Sequence, residues 1–160
     1  MHDKGETRWI KIARKTSGSP IRCVVEDVTD EVLQTKALRK ERDWDGLTGV
    51  KNRMAFGETM IQMGARRDEY RSVALVMCDL NDLKGVNDVF GHDKGDEYIC
   101  AAAECIRKAF PTGHVFRIGG DEFAVILTDV WPDEAREGLK VLAVGMEEYS
   151  RGCSFDASVA

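Results

Sequence analysis

The chain has 160 residues, 43% of them hydrophobic and 32% charged, with a net charge of −5. That leaves room for one domain with a single core and a short appendage, and it excludes a disordered or fibrous protein. A bulk nucleic-acid binder is also excluded, because that task needs a basic face to displace counterions.

The longest unbroken apolar run, Val73 to Cys78, is too short to span a bilayer, and no signal segment opens the chain. A cytoplasmic protein with no membrane segment is therefore expected. The five cysteines, Cys23, Cys78, Cys100, Cys105 and Cys153, are odd in number and form no C-x-x-C pair. Reduced, mostly buried thiols are expected.

In chain order, Arg8 to Arg14 alternates, Lys15 to Pro20 reads as a turn, and Ile21 to Val28 is rich in β-branched residues, which together predict a hairpin. Strong helix formers follow from Thr29, with Thr29 or Asp30 as the N-cap. Leu33, Ala37, Lys40 and Trp44 fall at four-three-four spacing, either a seam pairing two helices or one face of a solvated linker helix. Asp45 to Gly49 breaks that helix and opens the main domain. A helix is predicted from about Arg53 to Arg66, a buried strand over Ser72 to Cys78, and a helix starting at Gly95-Asp96. Val115 to Ile118 and Phe123 to Leu127 read as strands joined by a tight turn, Trp131 to Tyr149 as an amphipathic helix, and Ser154 to Ala160 as β-like. The fold class is α/β (α+β), with helices covering a central sheet.

Asp79 stands where an apolar strand stops, and Asp121 and Glu122 stand at the tip of an apolar hairpin. If those strands are neighbours, three acids converge, and like charges that close need a cation to offset their repulsion. All-oxygen ligands suit Mg²⁺ or Mn²⁺ rather than zinc. Gly119 and Gly120 let a ligand lie against the backbone, or simply make a good hairpin turn. Lys84 is placed to neutralise a phosphate, or is a solvated surface lysine. Asn87 and Asp96 carry the groups that read a guanine edge, although Asp96 alone would be taken for a helix N-cap. His92, in a predicted turn, is either a structural hydrogen-bonder or part of a ligand shell.

The segments Asp45–Arg53, Asp79–Asp88, Gly91–Asp96 and Arg117–Phe123 resemble, in order and spacing, the four signature stretches of the GGDEF family of diguanylate cyclases. The resemblance implies a central mixed sheet flanked by helices, similar to the polymerase palm and to class III nucleotide cyclases. It implies condensation of two GTP into cyclic di-GMP with release of two pyrophosphates. Asp79, the Leu80 backbone carbonyl and Asp121 would hold Mg²⁺ or Mn²⁺, two ions per site, with Glu122 as a further acidic ligand. Asp121 would also be the base for the ribose 3′-hydroxyl, and Lys84 would stabilise charge on the phosphates. Asn87 and Asp96 would bind guanine with His92 beside the nucleotide, and Arg117, Gly119 and Gly120 complete the substrate-binding set. One GTP per protomer implies catalysis across a homodimer.

Asn81 and Leu83 replace an Asp and a Phe common in the family. The family continues past its β-like Ser-x-Gly segment with a helix carrying Lys and Arg, so residues 45–160 are expected to be a GGDEF domain lacking its C-terminal part. Arg8-Trp9-Ile10 and Val24 to Asp30 resemble the closing strands of a PAS sensor, so residues 1–29 are expected to be the end of an upstream sensor domain and residues 30–44 a helical linker. At the two charged positions of the family's inhibitory Arg-x-x-Asp site stand Phe110 and Gly113, so no high-affinity product inhibition is expected there. Two other readings compete with the enzyme. One is a silent module that binds GTP or cyclic di-GMP and signals to a partner, and the other is a dimerisation fragment.

Overall fold

The computed structural model describes residues 7–15 and 22–160. The chain divides into two compact units, Met1–Glu41 and Arg42–Ala160. In the first, strands β1 (Ile10–Lys15) and β2 (Arg22–Asp27) pair antiparallel with Ile10 opposite Asp27. Lys15, read as the start of the turn, ends β1, while the rest of that turn, residues 16–20, and the side chains of Cys23, Ala37 and Lys40 lie outside the described residues.

Helix α1 (Thr29–Asp43) begins at Thr29 itself, so neither Thr29 nor Asp30 is its cap. The Thr29 N–H and hydroxyl both donate to Asp27 Oδ1, at 3.0 and 2.6 Å, and the hydroxyl oxygen accepts the Trp9 N–H at 3.0 Å. This threonine is therefore spent on joining the hairpin to the first turn of the helix.

In the second unit, a short strand β3 (Lys51–Asn52) leads directly into α2 (Arg53–Ala65), which is capped by Asn52 Oδ1 accepting the Ala55 N–H at 3.0 Å. Strand β4 (Val73–Asp79) is followed by α3 (Leu83–Phe90) and α4 (His92–Ala109). Strands β5 (His114–Arg117) and β6 (Glu122–Thr128) form a hairpin, and α5 (Pro132–Ser150) follows. The four-stranded sheet has the order β3-β5-β6-β4, with β3 and β5 parallel and the remaining pairs antiparallel. The central mixed sheet flanked by helices is thus as expected.

Strand β6 is central and covered on both sides. Phe123, Val125 and Leu127 enter a core with Tyr98 and Ile106 of α4 and Leu142 and Met146 of α5. Ala124 and Ile126 point the other way, against Phe116 and Ala55 of α2, as the period of two along a strand demands.

Four expectations need correction. The strand from Ser72 to Cys78 is not buried throughout: Val76 and Cys78 are buried, but Val73, Leu75 and Met77 are each about half exposed, because β4 lies at the side of the sheet where α2 does not cover it. Helix α3 falls in a stretch for which no helix was expected. Helix α4 begins at His92, just after Gly91 at φ 87°, so His92 is helical and Asp96 lies in the second turn, not at a cap. Within the β-like tail only the last three residues pair. Asp79 and Ala160 exchange two backbone hydrogen bonds, at 3.1 and 2.9 Å, and the Asn81 N–H donates to the Ser158 carbonyl at 3.0 Å.

Candidate active site

The β4–β6 register sets Asp79 directly opposite Glu122. Both are exposed, and both lie on the sheet face shared with Ala124. The next residue, Leu80, is 1% exposed, and its N–H donates to the Asp121 carbonyl at 3.0 Å. Among the described residues no donor engages the carbonyl of Leu80 itself. Buried main-chain acceptors are normally paired, so an unpaired one beside two carboxylates is an all-oxygen donor set of the kind hard divalent cations take. This chemistry fits Mg²⁺ or Mn²⁺.

The expected convergence of three acids is corrected. Among the described residues no three His, Cys, Asp or Glu side chains stand close enough to hold a metal ion. The register brings together a facing pair, while Asp121 lies in the turn just outside the ladder. The Glu122 carboxylate folds back over Gly119, in the space a Cβ at that position would need.

Two backbone bonds to the Glu122 carbonyl, from Ile118 at 2.9 Å and Gly119 at 3.3 Å, shape the turn. Arg117 braces it from outside, donating to the Gly120 carbonyl from Nε at 3.2 Å and Nη2 at 2.7 Å, while Nη1 reaches Asp45 at 3.3 Å. Its donors are thus engaged within the protein. Asp45 also accepts the Thr48 N–H at 2.9 Å and hydroxyl at 2.6 Å. Burial by itself would raise the Asp45 carboxyl, but Thr48 and then Arg117 hold it below the usual carboxylate range.

Lys84 is exposed near the start of α3 and forms no ion pair among the described residues. Asn87 packs its Oδ1 against the backbone of Gly95, which brings the amide beside the turn of α4 that carries Asp96. The Cys100 thiol lies within electrostatic reach of both that turn and the brace. Burial raises its pKa most, Asp96 and Asp45 raise it further, and Arg117 opposes them. His92 is exposed at the start of α4. An apolar cavity of about 440 Å³ between α5 and the terminal segment, lined by Leu142, Met146 and Val159, holds none of these residues.

Phe110 is only 3% exposed and packs against Gly138, so it has no face free to stack on a ligand; a Cβ at Gly113 would meet Val125 Cγ1 at 2.6 Å. The sequence reading missed Tyr98 and Ser158. Tyr98 sits on the apolar face of α4, where its ring reads as core and nothing local marks its hydroxyl.

Taken together, the strands and helices define a mixed-sheet α/β domain with an acidic site at the strand ends. The model of the diguanylate cyclase GGDEF domain matches residues 42–154, and the chain belongs to the GGDEF family. It is similar to the cyclic di-GMP phosphodiesterase PdeB of Shewanella oneidensis, 36% identical over 107 residues, 66% of this chain and 12% of that protein. It is also similar to the diguanylate cyclase DgcM of Escherichia coli, 31% identical over 133 residues, 80% of this chain and 32% of that protein. The chain therefore spans a third or less of these two relatives. Among solved structures, the coiled coil and GGDEF domain of DgcB from Caulobacter crescentus, in complex with c-di-GMP, superposes with a TM-score of 0.74 at 25% identity, covering 83% of this chain and 74% of that one. No helix among the described residues is long and apolar enough to cross a membrane.

Proposed function

We propose that this chain is the catalytic domain of a diguanylate cyclase, condensing two GTP into cyclic di-GMP and two pyrophosphates in bacterial second-messenger signalling. The observation that carries the reading is the unpaired, buried Leu80 carbonyl next to the facing carboxylates Asp79 and Glu122. Asp79, the Leu80 carbonyl and Asp121 would hold Mg²⁺ or Mn²⁺, two per site, with Glu122 as a further ligand, which requires the three acids to draw closer together than they stand here. A divalent cation held there would supply positive charge against that of the triphosphate and of the pyrophosphate as it leaves.

The remaining roles belong to the chain's own residues. Asp121 accepts the proton of the ribose 3′-hydroxyl, and Lys84 offsets charge on the phosphates. Asn87 and Asp96 hold guanine by its donor edge, with His92 beside the nucleotide and the glycine pair letting the substrate lie against the backbone. Arg117, tied to Gly120 and Asp45, serves the substrate by holding that turn in shape.

One GTP per protomer requires a homodimer. In this reading, residues 1–29 close an upstream PAS-like sensor and residues 30–44 form the linker helix that pairs two copies. The coiled coil named beside the GGDEF domain of DgcB supports that part. Incubating the protein with GTP and Mg²⁺ and separating the products by chromatography tests the reading. Cyclic di-GMP is expected, and Asp121→Ala should abolish it with the fold intact. A dimeric, GTP-binding protein that yields none would instead be the silent signalling module.

A further inference from the structure

Tyr98 is fully buried on α4, and its ring stacks near Tyr149, 6.3 Å between centroids, and against Phe155 at 5.3 Å. Its hydroxyl is not part of that packing. It lies 2.6 Å from the Ser158 carbonyl and 3.3 Å from the Asn81 carbonyl, and it accepts the Ser158 N–H at 3.0 Å. One buried hydroxyl thus joins three elements: helix α4, the loop that leaves β4, and the C-terminal segment.

The joined loop is the one that carries Leu80. The Asp79 N–H and carbonyl are both bonded to Ala160, the Leu80 N–H to Asp121, and the Asn81 N–H to Ser158. The Asn81 carbonyl faces the Tyr98 hydroxyl, and Asn81 Nδ2 donates to Ser158 Oγ at 3.0 Å. Every main-chain polar group from Asp79 to Asn81 therefore has a partner within the protein except the Leu80 carbonyl. With both flanking peptides anchored, that carbonyl has little freedom to turn.

We infer that Tyr98 is a positioning residue: its hydroxyl, acting through Asn81 and Ser158, fixes the direction of the Leu80 carbonyl for a divalent cation. This rests on the reading of Leu80 as a metal ligand. A buried phenol with three partners loses all of them on Tyr98→Phe while the ring packing stays, and the Asn81 and Ser158 groups lose the partner that ties them to each other and to α4. The loop then relaxes, and the carbonyl is no longer held in place before the cation arrives.

The test is Mn²⁺ binding to the whole chain, read by the electron paramagnetic resonance of free Mn²⁺, for the wild type, Asp79→Asn and Tyr98→Phe. Removing a group that orients a metal ligand typically weakens binding by about 10- to 100-fold, and a loss in that range is expected for Tyr98→Phe. The Mg²⁺ concentration for half-maximal turnover should rise in parallel, while KM for GTP at saturating metal stays unchanged, a split that general loosening of the core would not produce. Wild-type Mn²⁺ affinity in a folded Tyr98→Phe overturns the inference. Should that variant fail to fold, hydrogen exchange on the wild type decides. Added Mn²⁺ is expected to slow the amides of Asn81 and Ser158 and not that of Val125, and no selective slowing overturns the role. Equal Mn²⁺ binding by Asp79→Asn and the wild type removes the metal-site reading, and the role of Tyr98 with it.

Discussion

The Glu122 carboxylate rests against the backbone of Gly119. A Cβ at Gly119 would stand 3.2 Å from the Cβ and Cδ of Glu122 and closer still to Oε2. The first glycine of the pair thus makes room for the acid three residues on, and the turn and the acidic site are one feature. Gly119→Ala should push the Glu122 side chain out of this position. A loss of turnover of about tenfold or more is expected, on the scale of disturbing a metal ligand's support, with near-ultraviolet circular dichroism unchanged. Full turnover by the variant would show that Glu122 need not lie where it does.

The Asn87 amide lies beside the turn of α4 that carries Asp96 because Gly95 has no side chain to hold it away. If Asp96 accepts from guanine's donors as proposed, Asp96→Ser should reduce the preference for GTP over ATP by on the order of 10- to 100-fold, the scale of leaving a buried polar edge unpaired. Gly95→Ala should move preference the same way by displacing Asn87. Competition between the two nucleotides measures both effects, and an unchanged preference in Asp96→Ser would count against its role.

Asp45 joins the start of the domain to the glycine turn through Arg117, and its side chain and that of Arg117 are only 22% and 14% exposed. Asp45→Asn should destabilise the protein by about 1–3 kcal/mol near pH 7, the range for breaking a partly buried, charged hydrogen-bond set. Because the folded carboxyl titrates below its unfolded value, its contribution is present above the ordinary carboxylate pKa and is lost as pH falls through the lower folded value. Thermal unfolding curves of wild type and variant should therefore converge as the pH drops below about 4. A gap that stays constant down to pH 2 would contradict this account.

Burial pushes the Cys78 thiol up to about 11. The thiolate is the reactive form, so at pH 8 iodoacetamide should label Cys100, Cys105 and Cys153, which are less buried, well before Cys78. Mass-spectrometric peptide mapping over time reads the order directly. Early labelling of Cys78 would mean that β4 opens readily.

Much of the frame was legible in the residues alone, because it rests on local patterns. The apolar alternation of Phe123 to Leu127, the glycine turn before it and the amphipathic run after Trp131 each carry their period within a few residues. Helix α3 was not legible, because Leu83–Phe90 is short and lies between residues better read as loop and ligand. The start of α4 was misplaced for a related reason: Gly95 and Asp96 look like a helix opening, but the break is made by the positive φ of Gly91, which no residue pattern reveals.

From its sequence this protein has its strands and most of its helices, the family they build, and the residues able to do its chemistry, since these depend on residue type and short-range spacing. Tertiary structure alone decides which of those residues meet. The β4–β6 register puts Asp79 opposite Glu122 while leaving Asp121 in the turn. Arg117 is drawn to Asp45, 72 positions away, and the Tyr98 hydroxyl to Ser158, 60 positions away. Contacts at such separations form only when the whole sheet closes over its core, so no local period could carry them.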